Sequence, residues 1–187
     1  MRNQMFTVTV LVLTASFANA QDTVANPEFT NWSKFPKGTS VVMKISSTAA
    51  GMTSETSMTT TLLEVGADKV VVETATAIKA NGMEFKTPAM KRDVAKSIPL
   101  PKGTKKEDLA GGKPPGTLEE GTETLKVGGV EVKTKWYRFK LEAGGVTTES
   151  KMWRSDDVPG MMVKMEATTT GTVASTTKME LVEFKKP

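Results

Sequence analysis

Apolar and polar residues alternate with a period of two over most of this chain, the signature of half-buried β-strands. In TSVVMKISS, Val41, Met43 and Ile45 share one parity, and in MTSETSMTTTLLEV, Met52, Met58 and Leu62 do, with Ser54, Thr56 and Thr60 between them. KVVVETATAI alternates at Val70, Val72 and Ile78, and MEFKT opens another run at Met83. ETLKV, VEVKTKWYRFKLE, VTTESKMW, MMVKMEATT and TVASTTKMELVEF continue the habit. Short turn signals separate the runs: Gly66-Ala67-Asp68, Ala80-Asn81-Gly82, Gly128-Gly129, Gly144-Gly145 and Gly171. Connections this short predict antiparallel pairing of sequential strands. The pattern gives about nine strands in two groups, residues 39–94 and 121–185.

Two runs change phase. In VEVKTKWYRFKLE, Val130, Val132 and Trp136 oppose Tyr137, Phe139 and Leu141; in TTKMELVEF, Met179 and Leu181 oppose Val182 and Phe184. Either β-bulges reset the alternation or the strand ends are covered on both sides. Bulges bend a sheet, so the first alternative favours strong curvature.

One segment breaks the period. ANPEFTNWSKFPKG predicts a short helix over 27–35, capped by Asn26, opened by Pro27 and stopped by Pro36 and Gly38. Phe29, Trp32 and Phe35 would lie along one side of it, to cover a sheet or to gate a ligand. Between the two strand groups, residues 95–120 are rich in Pro, Gly and Lys. They read as a long loop, either disordered, a loosely packed crossover or a lid over a binding face, with a short helix conceivable at Met90–Lys96. The fold expected is mainly β: a single curved antiparallel sheet, open and half-barrel-like, of about nine strands with the short N-terminal helix packed on it.

Residues 1–20 stand apart. Arg2, the apolar run MFTVTVLVLTASF and Ala18-Asn19-Ala20 have the form of a secretory signal peptide, leaving one domain over 21–187. The expectation is an exported protein, periplasmic or extracellular, with no transmembrane segment once the signal is removed. The chain has no Cys and no His. That excludes disulfides, lipid attachment through cysteine, thiol nucleophiles and imidazole chemistry. Net charge is +4, with both signs interleaved. No basic stripe suggests nucleic acid.

No catalytic constellation stands out, so the chain reads as a non-enzyme needing no cofactor and no metal. Asp156 and Asp157 are adjacent acids in the turn SDDVPG, after Trp153 and before Pro159 and Gly160. These five residues read as a structural corner, its acids bonding their own backbone. Pro159 and Gly160 would launch the next strand in register.

The richer candidate is the parity set facing inward: Met43, Met52, Met58, Val70, Val72, Met83, Met152, Met161, Val163, Met165 and Met179. Flexible thioethers suit both an irregular core and a surface that accepts varied apolar ligands. Interleaved Ser and Thr favour a partly wet face, because each buried hydroxyl needs a partner.

Three stretches, NPEFTNWSKFPKGTSVVMK, ETLKVGGVEVKTKWY and SKMWRSDDVPGMMVKME, resemble a family of secreted bacterial proteins with no assigned function, marked by a W-x-S-x-x-V-P-G corner. The family's frequent Cys is replaced here by Thr134. More distantly, the pattern is similar to the half-barrel carriers of bacterial lipoproteins and lipids. That similarity implies an open curved sheet whose concave face could hold acyl chains. Two functions follow as expectations. One is a cell-envelope protein binding or carrying a lipophilic ligand on the concave face. The other is a structural or protein-interaction module with a solid core.

Overall fold

The computed structural model describes residues 22–80, 83–100, 113–114, 116–171 and 174–187. The signal-like segment and half of the Pro/Gly/Lys-rich loop, residues 101–112 and 115, lie outside the described residues; of the rest, 97–99 and 117–120 are strand and not loop. The elements in chain order are β1 (Thr23–Ala25), α1 (Pro27–Trp32), β2 (Ser40–Ala49), β3 (Met52–Val65), β4 (Lys69–Ala80), β5 (Met83–Ala95), β6 (Ser97–Pro99), β7 (Thr117–Val127), β8 (Val130–Ala143), β9 (Val146–Arg154), β10 (Met162–Thr170) and β11 (Ser175–Lys185).

Nine strands form one open antiparallel sheet in the order β5-β4-β3-β2-β11-β10-β9-β8-β7. Each half is a meander, as the short turns predict, and the halves join through β2 and β11. Among the described residues the edge strands β5 and β7 do not pair with each other, so the sheet stays open. Strands β1 and β6 pair separately as a small ribbon. No helix among the described residues is long and apolar enough to cross a membrane.

Antiparallel register assigns every paired side chain to one of two faces. The first, here the helix face, carries Val41, Met43, Leu62, Val70, Val72 and Val94, all buried. α1 lies on it, in contact with β4 and β5. Phe29, Trp32 and Phe35 are buried there, although Phe35 falls just past the helix end. The helix forms where expected: the Asn26 side chain accepts from the Glu28 N–H at 3.0 Å, and Pro27 fills the first turn.

The other face is a charged lattice. Lys79 and Lys86 flank Glu84, Arg138 bridges Glu119 and Glu149, and Lys164 reaches Glu166 and Glu180. Apolar side chains gather on this face only toward β7, β8 and the end of β9, where Val127, Val132 and Trp153 are buried. The β7–β8 tip bends back there. A Cβ on Gly128 would stand 3.4 Å from the Val182 carbonyl of β11, four strands away. In a flat sheet, four strand spacings would separate them by about 19 Å.

The phase changes have two different causes. In β11 a bulge falls between Leu181 and Glu183, which carries Val182 out of the alternation. Strand β8 pairs with β9 without a break, and its two parities are buried on opposite faces: Val132 on the lattice face, Tyr137 on the helix face. The helix conceivable at Met90–Lys96 is absent, because β5 runs through to Ala95 and pairs with β4 along its length. Its β-bulge at Thr87–Met90, beside Pro88, shifts the register once.

Candidate functional site

Register gathers most of the inward parity set on the helix face. Met43 pairs with Met58 and with Leu181; Met179 pairs with Ile45 and with Met165; Met165 pairs with Met152. Met52 and Met83 share the face by pairing with Ala49 and Ala80, and Val70 and Val72 share it through Val94 and Leu62. Cover divides this set into three. Met43, Val70 and Val72 are buried beneath α1 and the strand ends, whereas Met52 and Met83 are exposed at the far rim, at 68% and 58%. Met58, Met152, Met165 and Met179 lie between, half-buried.

Met161 and Val163 do not continue the alternation. Met161 belongs to the corner, with φ +65°, and β10 starts one residue later. The register then breaks between Met162 and Lys164. The expected entry in register is therefore replaced by a bulge, which leaves both Met161 and Val163 buried.

Below the covered end, one row of paired positions crosses eight adjacent strands. Phe85 pairs with Ile78, Ile78 with Thr56, and Thr56 with Ile45. The row continues through Met179, Met165 and Met152 to Tyr137. Its interior positions are half-buried, neither packed away nor fully wet. Most of the exposed large hydrophobic residues share this face: Met52, Val65, Met83, Phe85, Met90, Leu141 and Val146. Sequence reasoning chose the thioethers of this row and passed over Ile45, Ile78, Phe85 and Tyr137. Their parity was the available signal.

A pocket of about 740 Å³ adjoins the Tyr137 end of the row. Its floor is the helix face of β7 and β8, with Thr122, Thr124, Lys133 and Lys135, and its wall is the corner with Asp156, Asp157 and Met161. Tyr137 and Arg154 line it as well. Burial pushes the Arg154 guanidinium below its usual value, while Tyr137 and Asp156 act in the opposite direction. The Lys135 ammonium lies 5.4 Å from the Tyr137 ring centre and 3.8 Å from the Glu120 carboxylate. Glu123 is committed to the other face, where Trp153 Nε1 donates to its Oε2 at 2.8 Å. A second groove, of about 520 Å³, lies over the charged lattice beside Lys44, Glu55 and Lys178.

The corner joins pocket, helix and sheet. Asn31, 1% exposed, donates from Nδ2 to the Asp156 carbonyl at 3.1 Å and accepts from the Gly160 N–H at 2.7 Å. Gly160 is at φ +76°, and a Cβ there would meet the Trp32 indole at 3.3 Å, so both conformation and space call for glycine. Ser155, and not an aspartate side chain, closes the turn: its Oγ accepts from the Asp157 N–H at 3.3 Å. Pro159 is fully buried, while the side chains of Asp156 and Asp157 are left to solvent and the pocket. Trp153 projects onto the lattice face, with the ammoniums of Lys151 and Lys164 4.6 and 4.9 Å from its ring centre.

No protein-family model matches the chain, and no curated protein does. Among solved structures it is similar to a candidate lipoprotein from Parabacteroides distasonis, at 16% identity and a TM-score of 0.39 over 81% of this chain and 97% of the other. A domain described as an outer-membrane lipoprotein-sorting protein, from Vibrio parahaemolyticus, is 15% identical with a TM-score of 0.27, covering 85% and 91%. A LolA-superfamily protein from Nitrosomonas europaea is 10% identical with a TM-score of 0.26, covering 88% and 94%. Likenesses this remote carry no inference about ligand or partner.

Proposed function

We propose that this protein is a non-enzymatic cell-envelope protein that binds or carries a lipophilic ligand on the helix face of its sheet. The observation that supports this most is the row from Phe85 to Tyr137, half-buried at its interior positions and flanked by exposed Met52, Met83 and Met90 on the same face. A solid core would leave no such band. Contiguous apolar surface beside polar rims is what ligand grooves present. Methionine adapts its shape to a flexible chain at little energetic penalty. Ser and Thr between the apolar residues keep the empty band hydrated, with cross-strand hydroxyl pairs such as Ser47 with Thr177 and Thr148 with Thr169.

The alternative, a structural or protein-interaction module, would use the exposed edge strand β5. That edge carries Pro88 and a bulge, both of which oppose strand addition. A hydrophobic naphthylamine dye titrated into the purified protein tests the proposal. Saturable fluorescence, displaced by dodecanol and weakened at least tenfold by Met165→Gln with Met179→Gln, is expected. Dye binding equal in the wild type and the double variant, with both folded by circular dichroism, would remove the band as the site.

A further inference from the structure

The lipophilic band ends in a polar pocket, and the two share side chains. Tyr137 is the last apolar member of the row and also lines the pocket. Arg154 stands two residues beyond Met152 on β9 and pairs with Lys135 on β8. A chain lying along Met165 and Met152 would therefore have its end group next to the residues that line this pocket.

The pocket carries charges of both signs, on different elements. Lys133 and Lys135 are on β8 of the floor, Arg154 is at the end of β9, and Asp156 and Asp157 are on the corner. Glu123 is a lining residue by position, but its carboxylate is bound to the Trp153 indole. A ligand with only a negative end would satisfy the floor and face the two corner acids; one with only a positive end would meet the reverse. We infer that, if the band binds an amphiphile as proposed above, the pocket takes a zwitterionic head group, its anionic part on Lys133, Lys135 and Arg154 and its cationic part toward Asp156 and Asp157. A phosphate ester bearing an amine has this chemistry, and the volume accommodates it.

Four probes with one tail and different heads test this on the full chain: dodecylphosphocholine, dodecanoate, dodecyltrimethylammonium and dodecanol, each below its micelle concentration in isothermal titration. Dodecylphosphocholine is expected to bind about tenfold tighter than dodecanol, and tighter than either singly charged probe. Lys133→Ala with Lys135→Ala should erase that advantage over dodecanol. Asp156→Asn with Asp157→Asn should erase its advantage over dodecanoate and leave dodecanoate binding at least as tight as before. Circular dichroism confirms that each variant is folded.

Equal affinity for all four probes would overturn the head-group assignment and leave the lipophilic band standing. A preference for dodecanoate or for dodecyltrimethylammonium would also overturn it, marking the pocket as a site for a single charge. Failure of all four to bind would remove both readings.

Discussion

One face of this sheet does two different jobs at its two ends. Beneath α1 and the corner, Leu62, Val70 and Val72 are completely buried, in one cluster with Trp32 and Phe29. A few residues further along the same strands, at the same parity, Thr56 and Ile78 are half-open. Alternation is the same in both regions. The difference is the cover: a six-residue helix and the corner at residues 155–161 roof only one end. A sheet that can be roofed only in part keeps its other end free, at the expense of apolar surface left in water.

Removing the roof is the largest perturbation. Trp32 is 2% exposed and lies against Gly160, so Trp32→Ala is expected to cost about 3–5 kcal/mol. In urea denaturation the midpoint should fall far enough to threaten folding at room temperature. A loss below about 1 kcal/mol would show that α1 is a dispensable flap and not part of the core.

A sharper comparison uses neighbours on β11. Leu181 and Met179 share parity and lie two residues apart, but Leu181 is 5% exposed and Met179 is half-buried. Leu181→Ala should destabilise by about 2–5 kcal/mol through transfer and cavity terms. Met179→Ala should cost about 1 kcal/mol or less, because solvent and neighbours already share its site. Equal losses would mean that the band is as tightly packed as the covered end, and the proposed binding surface would go with it.

This division also marks how far the sequence could be read. Period-two alternation identified the strands of the large sheet but not β1, β6 or the start of β7, and short Gly-rich turns fixed antiparallel order, because a two-residue connection leaves little geometric choice. Parity then put Met43, Met58, Met152, Met165 and Met179 on one face, since pleating leaves only two. Depth of burial was not legible. It depends on where α1 lands, and that is set by contacts far apart in sequence: Asn31 with the corner, Glu28 with Arg92, and Asn26 with the Ala95 carbonyl. The alternation carries no term for a roof. The same limit hid the pocket: Lys133, Lys135 and Arg154 read as ordinary charged positions until β8, β9 and the corner are assembled. Bulges were half legible, as the phase change at Val182 announced one, whereas that in β8 reflected burial on both faces.

The lattice face supplies a comparison of another kind, because its aromatic pair is covered by lysines instead of a helix. Gly121 on the edge strand β7 sits opposite Trp136, and a Cβ there would come within 2.8 Å of the indole. Gly121→Ala must therefore push the ring aside, toward Lys151, whose ammonium is 4.2 Å from its centre. A loss of about 1–3 kcal/mol is expected. Tryptophan emission should change with it, reporting displacement of the ring. Stability and emission both unchanged would mean that Trp136 is not fixed over the glycine.

The smallest effect should come from the lysine that looks best connected. Lys164 lies 3.0 Å from Glu166 and 3.8 Å from Glu180, with its ammonium 4.9 Å from the Trp153 ring centre. Yet both carboxylates are exposed, and each pair competes with water and salt for the same charges. Lys164→Met keeps most of the aliphatic stem over Trp153 and removes the charge. The expected loss is about 1 kcal/mol or less in low salt, shrinking further as salt is raised. A larger, salt-independent loss would mean that Trp153 needs the cation itself, and that the lysine layer is as much a roof for this face as α1 is for the other.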